Sequence, residues 1–252
     1  MSAEAHKTTR IEAKTKAFAP ATRLRRMHDL LMKAYGPQHW WPATTRFEVI
    51  LGAYLTQNTS WKSVERSLAN LRAADALTPA GIRTASLEEL RQWIRPSGFN
   101  TRKSPAIKAF VALLDEQFAG SLDQMASTAT DALRPLLLSL PGVGEETADA
   151  ILLYAFQHPV PVGDEYLRRA AVRHHLLEPA QERASYKSLV QLAHAAFNND
   201  LPSARAQLFN EFHALVVAVG KTYCKRVPDC EHCPLRSELP QDPSVREVAS
   251  HR

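Results

Sequence analysis

The stretch LPGVGEETADAIL, residues 140–152, places a proline and two glycines inside an otherwise helical pattern. Residues 133–140 before it are rich in leucine, and residues 145–156 carry small and apolar side chains at helical spacing. Glycine adopts backbone conformations, and allows close approaches, that other residues resist. The pattern therefore predicts two helices joined by a tight turn at Gly142 and Gly144.

The same turn predicts an anion site. Backbone N–H groups of the turn and of the first residues of the second helix point outward together, which suits a phosphate. The residues concerned are Gly142, Val143, Gly144 and Thr147. An ordinary helical hairpin with a glycine turn is the alternative. The complete pattern, Leu-Pro-Gly-Val-Gly followed by Thr-Ala, favours the phosphate-binding hairpin.

Helical periodicity continues through the rest of the chain. Apolar residues recur at intervals of three and four in segments 47–54, 107–114 and 208–219. Proline and glycine pairs separate such segments, and alternating strand patterns are nearly absent. We therefore predict an all-α protein of about ten short helices.

The charge balance permits an anionic partner such as nucleic acid, since the formal net charge is +5. No apolar run approaches the roughly 18 residues that span a bilayer, so we expect no membrane partner. Residues 1–22 are polar and basic and lack the apolar core of a secretory signal, which predicts a disordered tail. We expect a cytoplasmic protein associated with the nucleoid.

Two stretches resemble the helix-hairpin-helix DNA glycosylase superfamily typified by endonuclease III: LPGVGEETADAILLYAF, residues 140–156, and PVPVGDEYLRR, residues 159–169. ILGAYLTQNTSWKSVE, residues 50–65, and IRPSGF, residues 94–99, are most similar to the branch that includes 3-methyladenine DNA glycosylases. The resemblance implies two helical domains with the active site in the cleft between them. For this chain we expect one helical domain that is discontinuous, 23–39 plus 151–223, and an inserted six-helix domain that ends in the hairpin, 40–150. A cysteine loop, 224–240, follows, and the two ends of the chain, 1–22 and 241–252, are tails.

The resemblance also implies a base excision enzyme that acts, as a monomer, on double-stranded DNA containing a damaged base. Asp164 matches the catalytic carboxylate of the family. Breaking an N-glycosidic bond builds positive charge on the sugar, which a carboxylate stabilises while it positions or deprotonates water. An aspartate here also suits a helix cap, and both roles can hold together.

Glu146 departs from the pattern of family members that also cut the strand. Those members carry a lysine one residue before the hairpin threonine, and its amine forms a Schiff base with the sugar. A glutamate cannot do so, which implies a monofunctional hydrolase that leaves an abasic site. The resemblance to the 3-methyladenine branch implies an alkylated purine as its substrate. Two alternatives stay open: a mismatch or oxidative-lesion glycosylase of the same fold, and an inactive DNA-binding relative. We assign Glu145 and Glu146 no positive role, because their charges repel phosphate.

Three tryptophans, Trp40, Trp41 and Trp61, are candidates for the walls of a base pocket. A flipped base needs flat apolar walls, and a tryptophan face attracts a cationic base by roughly 0.5–2 kcal/mol. Core packing is the alternative for each of them. The resemblance further implies that Gln57, with Asn58 beside it, fills the gap that a flipped base leaves in the duplex.

The three cysteines, Cys224, Cys230 and Cys233, lie within ten residues, which is typical of a ligand set and not of a disulfide framework. They resemble the four-iron four-sulfur loop of the family, but the first gap is one residue short and Leu239 stands at the fourth position. We expect that the chemistry requires no cofactor. For the loop itself we expect first no metal, then a labile four-iron four-sulfur cluster, and last a zinc ion completed by His232.

Overall fold

The computed structural model describes residues 18–40, 43–177 and 184–240, and these residues are helical without any β-strand, as predicted. The helices in this part of the chain are α1 (Pro20–Tyr35), α2 (Arg46–Thr56), α3 (Trp61–Ala73), α4 (Pro79–Thr84), α5 (Leu87–Trp93), α6 (Asn100–Phe118), α7 (Leu122–Ser127), α8 (Thr130–Leu138), α9 (Glu145–Ala150), α10 (Glu165–Arg173), α11 (Tyr186–Ala196) and α12 (Arg205–Thr222). No helix among them is long and apolar enough to cross a membrane.

Side-chain caps set the start of several helices. Thr45 accepts a hydrogen bond from the backbone of α2, and Ser86 and Glu89 form a reciprocal capping box at α5. Pro20 and Pro79 occupy first positions, where the missing N–H has no partner to lose. Helix α1 therefore begins inside the range 1–22 predicted as a tail, while residues 1–17 and 241–252 lie outside the described residues.

The helices pack in two groups. In one, α1 packs on α11 and α12, and α10 packs on α12. Gly220 allows the close approach of α10, because a Cβ at this position would overlap the ring of Tyr166. In the other group, α2 packs on α3 and α6, and α6 also contacts α4, α5 and α7.

The predicted hairpin connects the two groups. Its helices are α8 and α9, and α9 continues through a wider π turn over Ile151–Ala155 whose residues are all buried. This π turn packs against both α2 and α12. The second helix of the hairpin is therefore shared by the two groups, so its orientation sets the geometry of the space between them.

A buried carboxylate fixes that orientation. Asp149 on α9 has no exposed surface and receives two hydrogen bonds from Arg134 on α8, Nε to Oδ1 at 2.7 Å and Nη2 to Oδ2 at 3.0 Å. The hydroxyl of Tyr186 on α11 donates to Oδ2 at 2.8 Å. Burial, followed by the charge of Asp149, raises the pKa of Tyr186, so its hydroxyl stays a donor. The network ties both helices of the hairpin to α11.

Replacing Asp149 with asparagine should lower the free energy of unfolding by about 3 kcal/mol, because the change leaves the guanidinium of Arg134 without its nearest charge partner inside the fold. Denaturant unfolding followed by circular dichroism measures this difference.

Glu145→Gln is the matched control, because Glu145 forms an ion pair with the same guanidinium at the surface. Its Oε1 lies 3.5 Å from Nη2 of Arg134, and half of its side chain is exposed. Exposed ion pairs contribute about 0–1 kcal/mol, so this variant should unfold almost like the unmodified protein. If both variants lowered the free energy of unfolding equally, Asp149 would contribute no more than an exposed surface charge does.

Candidate active site

A cavity of about 390 Å³ lies between the end of α2, helix α9, the start of α10 and α12. It brings together six of the twelve predicted site residues that the structure describes: Trp40, Gln57, Asn58, Trp61, Thr147 and Asp164. Gly142 and Gly144 line two adjoining surface depressions, and Val143 is buried beneath the turn. Trp41, the third predicted wall, lies outside the described residues.

Asp164 occupies the N-cap of α10, at the inner end of the cavity. Its Oδ1 accepts a hydrogen bond of 2.8 Å from the backbone N–H of Leu167, and the residue is 8% exposed. The cap uses one carboxylate oxygen and directs the side chain by a rigid helix end. The cap does not use the second oxygen, Oδ2.

His213 on α12 lies beside that second oxygen. Its Nε2 is 3.2 Å from Oδ2 of Asp164, although the approach is not aligned for a hydrogen bond. Its Nδ1 forms a short hydrogen bond with the hydroxyl of Tyr154, which is buried in the π turn. Burial, then the negative charges of Asp164 and Glu211, raise the pKa of Tyr154 well above its ordinary value.

Glu146 also lines the cavity, although sequence reasoning assigned it no positive role. The residue is exposed by its accessible surface. Desolvation nevertheless raises its pKa, and the charge of Asp164 raises it further, while His213 opposes the change. The site therefore contains two carboxyl groups whose charges influence each other.

Sequence reasoning missed the residues that α12 contributes. His213, Val217 and Lys221 line the cavity at intervals of four residues, so they share one face of this helix. A histidine and a lysine on one face of an otherwise apolar helix were the available signal. Neither residue belongs to a local motif.

The hairpin turn and the predicted wedge residues contact each other directly. The side-chain amide of Gln57 donates to the carbonyl of Gly142 and to the hydroxyl of Thr147, both at 2.9 Å. Gly142 has a φ of +75°, which explains the glycine, whereas Gly144 has an ordinary φ of −94°. A Cβ at Gly144 would meet no protein atom within 4 Å. The fold itself therefore does not require glycine at this exposed position.

A second feature missed from the sequence is Phe99, which is 57% exposed and has a left-handed backbone, with a φ of +48°. With Gln57, Asn58 and Gly142 it lines a depression of about 210 Å³ beside the main cavity. The turn IRPSGF, with an aromatic residue directly after glycine, was the available signal.

Lys103 holds the loops of this rim in place. Its buried ammonium donates to the carbonyls of Leu55 and Ser97, at 2.8 and 2.9 Å, and to the hydroxyl of Thr59 at 3.0 Å. Burial lowers the pKa of Lys103 to about 8. One side chain thus connects the end of α2, the loop after it and the turn before Phe99.

Trp40 and Trp61 are partly buried, pack against the core and line the cavity. The predicted roles as pocket wall and as core residue therefore coexist in these side chains. The ammonium of Lys221 lies 5.6 Å from the ring centroid of Trp40, within the range of a cation–π contact. The positively charged Lys221 therefore already lies against the aromatic wall of the cavity.

The cysteine loop does not match the four-thiolate site that the resemblance implies. It has three cysteines, with Leu239 at the fourth position. A guanidinium N–H of Arg173 donates to Sγ of Cys224 at 3.0 Å, and burial raises the pKa of Cys233 to about 11. His232, the candidate zinc ligand, is exposed and paired with Asp229. Across residues 18–40, 43–177 and 184–240, no group of three or more His, Cys, Asp or Glu side chains is placed to hold a metal ion.

Arginine contacts fasten the loop at both ends. Arg169 donates to the carbonyl of Cys224 at 2.9 Å, and Arg173 donates to the carbonyl of Arg226 at 3.1 Å. At the other end, the carboxylate of Glu238 lies 2.9 Å from a guanidinium nitrogen of Arg26 on α1. These contacts explain how the loop keeps one conformation on the surface of α10 and α1.

Comparison with known proteins shows the family to which the chain belongs. Residues 51–194 match the family model described as the HhH-GPD superfamily of base excision DNA repair proteins. A putative DNA repair glycosylase of Methanocaldococcus jannaschii is 39% identical over 213 residues, which cover 84% of this chain and 93% of that protein.

Solved structures with the same fold include two DNA repair enzymes. The H. pylori 3-methyladenine DNA glycosylase MagIII, bound to 1,N6-ethenoadenine, aligns with a TM-score of 0.68 and 30% identity over 81% of this chain and 98% of that one. A trapped covalent intermediate of endonuclease III with DNA aligns with a TM-score of 0.72 and 21% identity, over 90% of this chain and 98% of that one.

Purified protein that is handled anaerobically should contain little iron and lack the absorption band of an iron–sulfur cluster, because the loop offers three thiols and arginine contacts hold it. Iron analysis and the absorption spectrum measure both quantities. About four irons per chain would contradict this prediction. Leu239→Cys is the informative comparison, since iron uptake by this variant alone would assign the loss of the cluster to the missing thiolate.

Proposed function

Since the chain belongs to the HhH-GPD superfamily of base excision DNA repair proteins, we propose that it is a DNA glycosylase that hydrolyses the N-glycosidic bond of an alkylated purine and leaves an abasic site. The observation that carries this proposal is the position of Asp164. Its carboxylate is nearly buried at the inner end of a cavity of about 390 Å³ with tryptophans in its wall. A flipped nucleotide in this cavity would bring its sugar to the carboxylate.

In the proposed reaction, Asp164 stabilises the positive charge that develops on the sugar as the base departs. The N-cap contact with Leu167 fixes the carboxylate before substrate arrives, so little reorganisation is needed during the reaction. Glu146 and Asp164 are both close enough to the cavity to position the attacking water. The raised pKa of Glu146 suits a group that accepts a proton from that water.

The hairpin is proposed to bind the DNA backbone, with DNA across the cleft between the two helix groups. The exposed backbone at Gly144 supports this role, because the fold leaves room there and a Cβ would obstruct only an external group. Gln57, Asn58 and Phe99 surround the mouth of the cavity on the same side. We propose that they fill the space that the flipped nucleotide leaves in the duplex.

The substrate is proposed to be an alkylated purine because Trp40 and Trp61 provide aromatic surface inside the cavity, on which a flipped purine can stack. One observation favours a neutral lesion over a cationic one: Lys221 already places a positive charge near Trp40. MagIII, which shares 30% identity, is a 3-methyladenine glycosylase whose structure contains 1,N6-ethenoadenine. Duplexes containing 3-methyladenine, 1,N6-ethenoadenine, 8-oxoguanine or a G·T mismatch form the test panel, and release of free base identifies the substrate.

Asp164→Asn should reduce single-turnover base release by about a thousandfold or more, while the affinity for lesion-bearing duplex changes by less than about threefold. Asparagine caps a helix as well as aspartate does, so the fold should persist and only the charge is lost. Base release and fluorescence anisotropy measure the two effects.

Asp164→Ser provides the control for capping, because serine also caps α10 but has neither the charge nor the length of aspartate. It should be as inactive as the asparagine variant and as stable as the unmodified protein. Full activity in either variant would remove Asp164 from the chemistry.

Borohydride added during turnover should trap no covalent adduct with DNA, because Glu146 stands where a Schiff-base lysine would be needed. Denaturing gel electrophoresis of labelled duplex detects such an adduct. Lys221 is the one lysine that lines the main cavity of the described structure. An adduct that disappears in Lys221→Met would reverse the monofunctional assignment and identify the amine.

A further inference from the structure

We propose that His213, oriented by Tyr154, is a positioning residue that holds the free oxygen of Asp164 toward the sugar and favours its negative charge. The role of Asp164 in this inference rests on the proposed function. The contact between the three side chains stands on the structure alone. His213 lies on α12, Tyr154 in the π turn after α9, and Asp164 at the start of α10.

The first step concerns the two oxygens of Asp164. Oδ1 is engaged by the N–H of Leu167 at 2.8 Å, which leaves Oδ2 for chemistry. Nε2 of His213 lies 3.2 Å from Oδ2, and both side chains are only 10% exposed. A carboxylate with so little access to water needs a protein donor to remain charged. Among the residues that line the cavity, His213 is placed to supply such a donor to Oδ2.

The second step concerns the hydrogen on Nε2. The hydroxyl of Tyr154 bonds to Nδ1 of His213, and burial keeps that hydroxyl protonated by raising the pKa of Tyr154. A hydroxyl that donates to Nδ1 leaves the hydrogen of a neutral imidazole on Nε2. That hydrogen is then on the side of Asp164. Hydrogen bonds in a site without substrate are often poorly aligned and tighten in the complex.

The third step concerns the charges around the pair. Glu146 on α9 lies within electrostatic range of Asp164, whose charge contributes to the raised pKa of Glu146. Glu165 on α10 and Glu211 on α12 add negative charge nearby, and Lys221 contributes a positive charge farther along the cavity wall. A donor from His213 offsets the acidic neighbours.

The test compares His213→Leu with His213→Gln, which differ in whether a side-chain N–H is available. In His213→Leu we expect single-turnover base release at neutral pH to fall by about 100-fold, and the acid-side midpoint of the rate profile to rise by about one pH unit. His213→Gln should recover most of the rate and the lower midpoint. DNA affinity should change by less than about threefold in both variants.

Tyr154→Phe keeps the ring and removes the hydroxyl that selects the tautomer. We expect it to reduce base release by about tenfold. Long-range proton–nitrogen NMR of His213 should detect hydrogen on Nε2 in the unmodified protein and a mixture of tautomers in this variant. The NMR readout does not depend on turnover, and it remains informative if His213→Leu does not fold.

Several outcomes would overturn the inference. One is His213→Leu with unchanged rate and pH profile in an active enzyme; another is His213→Gln as impaired as His213→Leu. Hydrogen on Nδ1 in the unmodified protein would also overturn it. If the unmodified protein released no base from any duplex, the proposed function would fail, and the NMR result would still decide the orientation of His213.

Discussion

The carboxylate of Asp149, buried without any exposed surface, constrains the rest of the molecule. A charge inside a fold must keep its partner, so Arg134 has to remain against α9 and the two hairpin helices cannot change their angle. Tyr186 extends the constraint to α11. The second hairpin helix is thereby held in place, and the same helix presents Glu146 and Thr147 to the cavity.

The cavity combines two kinds of environment, one polar and one aromatic. Asp164 and His213 line it, with the buried hydroxyl of Tyr154 bonded to His213, and tryptophans form another part of its lining. The polar groups come from a helix start, a π turn and the middle of α12, which are rigid elements. The polar groups and the aromatic surface thus lie in different parts of one space, and the proposed function uses the first for bond cleavage and the second for substrate recognition.

The hairpin and the helical class could be predicted from sequence because both depend on local pattern: glycines at a turn, and apolar residues at helical spacing. The sequence predicted Asp164 as the catalytic carboxylate, Trp40 and Trp61 as pocket walls and Gln57 as a DNA wedge, and all four residues line the cavity. His213 was not predictable in this way, since its partner Tyr154 is 59 residues away and only packing joins them. Glu146 was set aside because its charge would repel phosphate, but the helix turns it toward the cavity. The six-residue helices α4 and α7 are too short to show a period.

The left-handed backbone at Asn58 and Phe99 has a consequence for the search along DNA. Such conformations are unfavourable for residues other than glycine and cost about 1–3 kcal/mol each. This cost forms part of the free energy of folding and not of the free energy of DNA binding. The three hydrogen bonds of Lys103 help to maintain these conformations. In the proposed function these residues fill the gap that a flipped nucleotide leaves, and the rim already has this conformation in the protein alone. A repair protein must test many intact pairs for each damaged one, and a preformed rim shortens every test because no loop has to rearrange first.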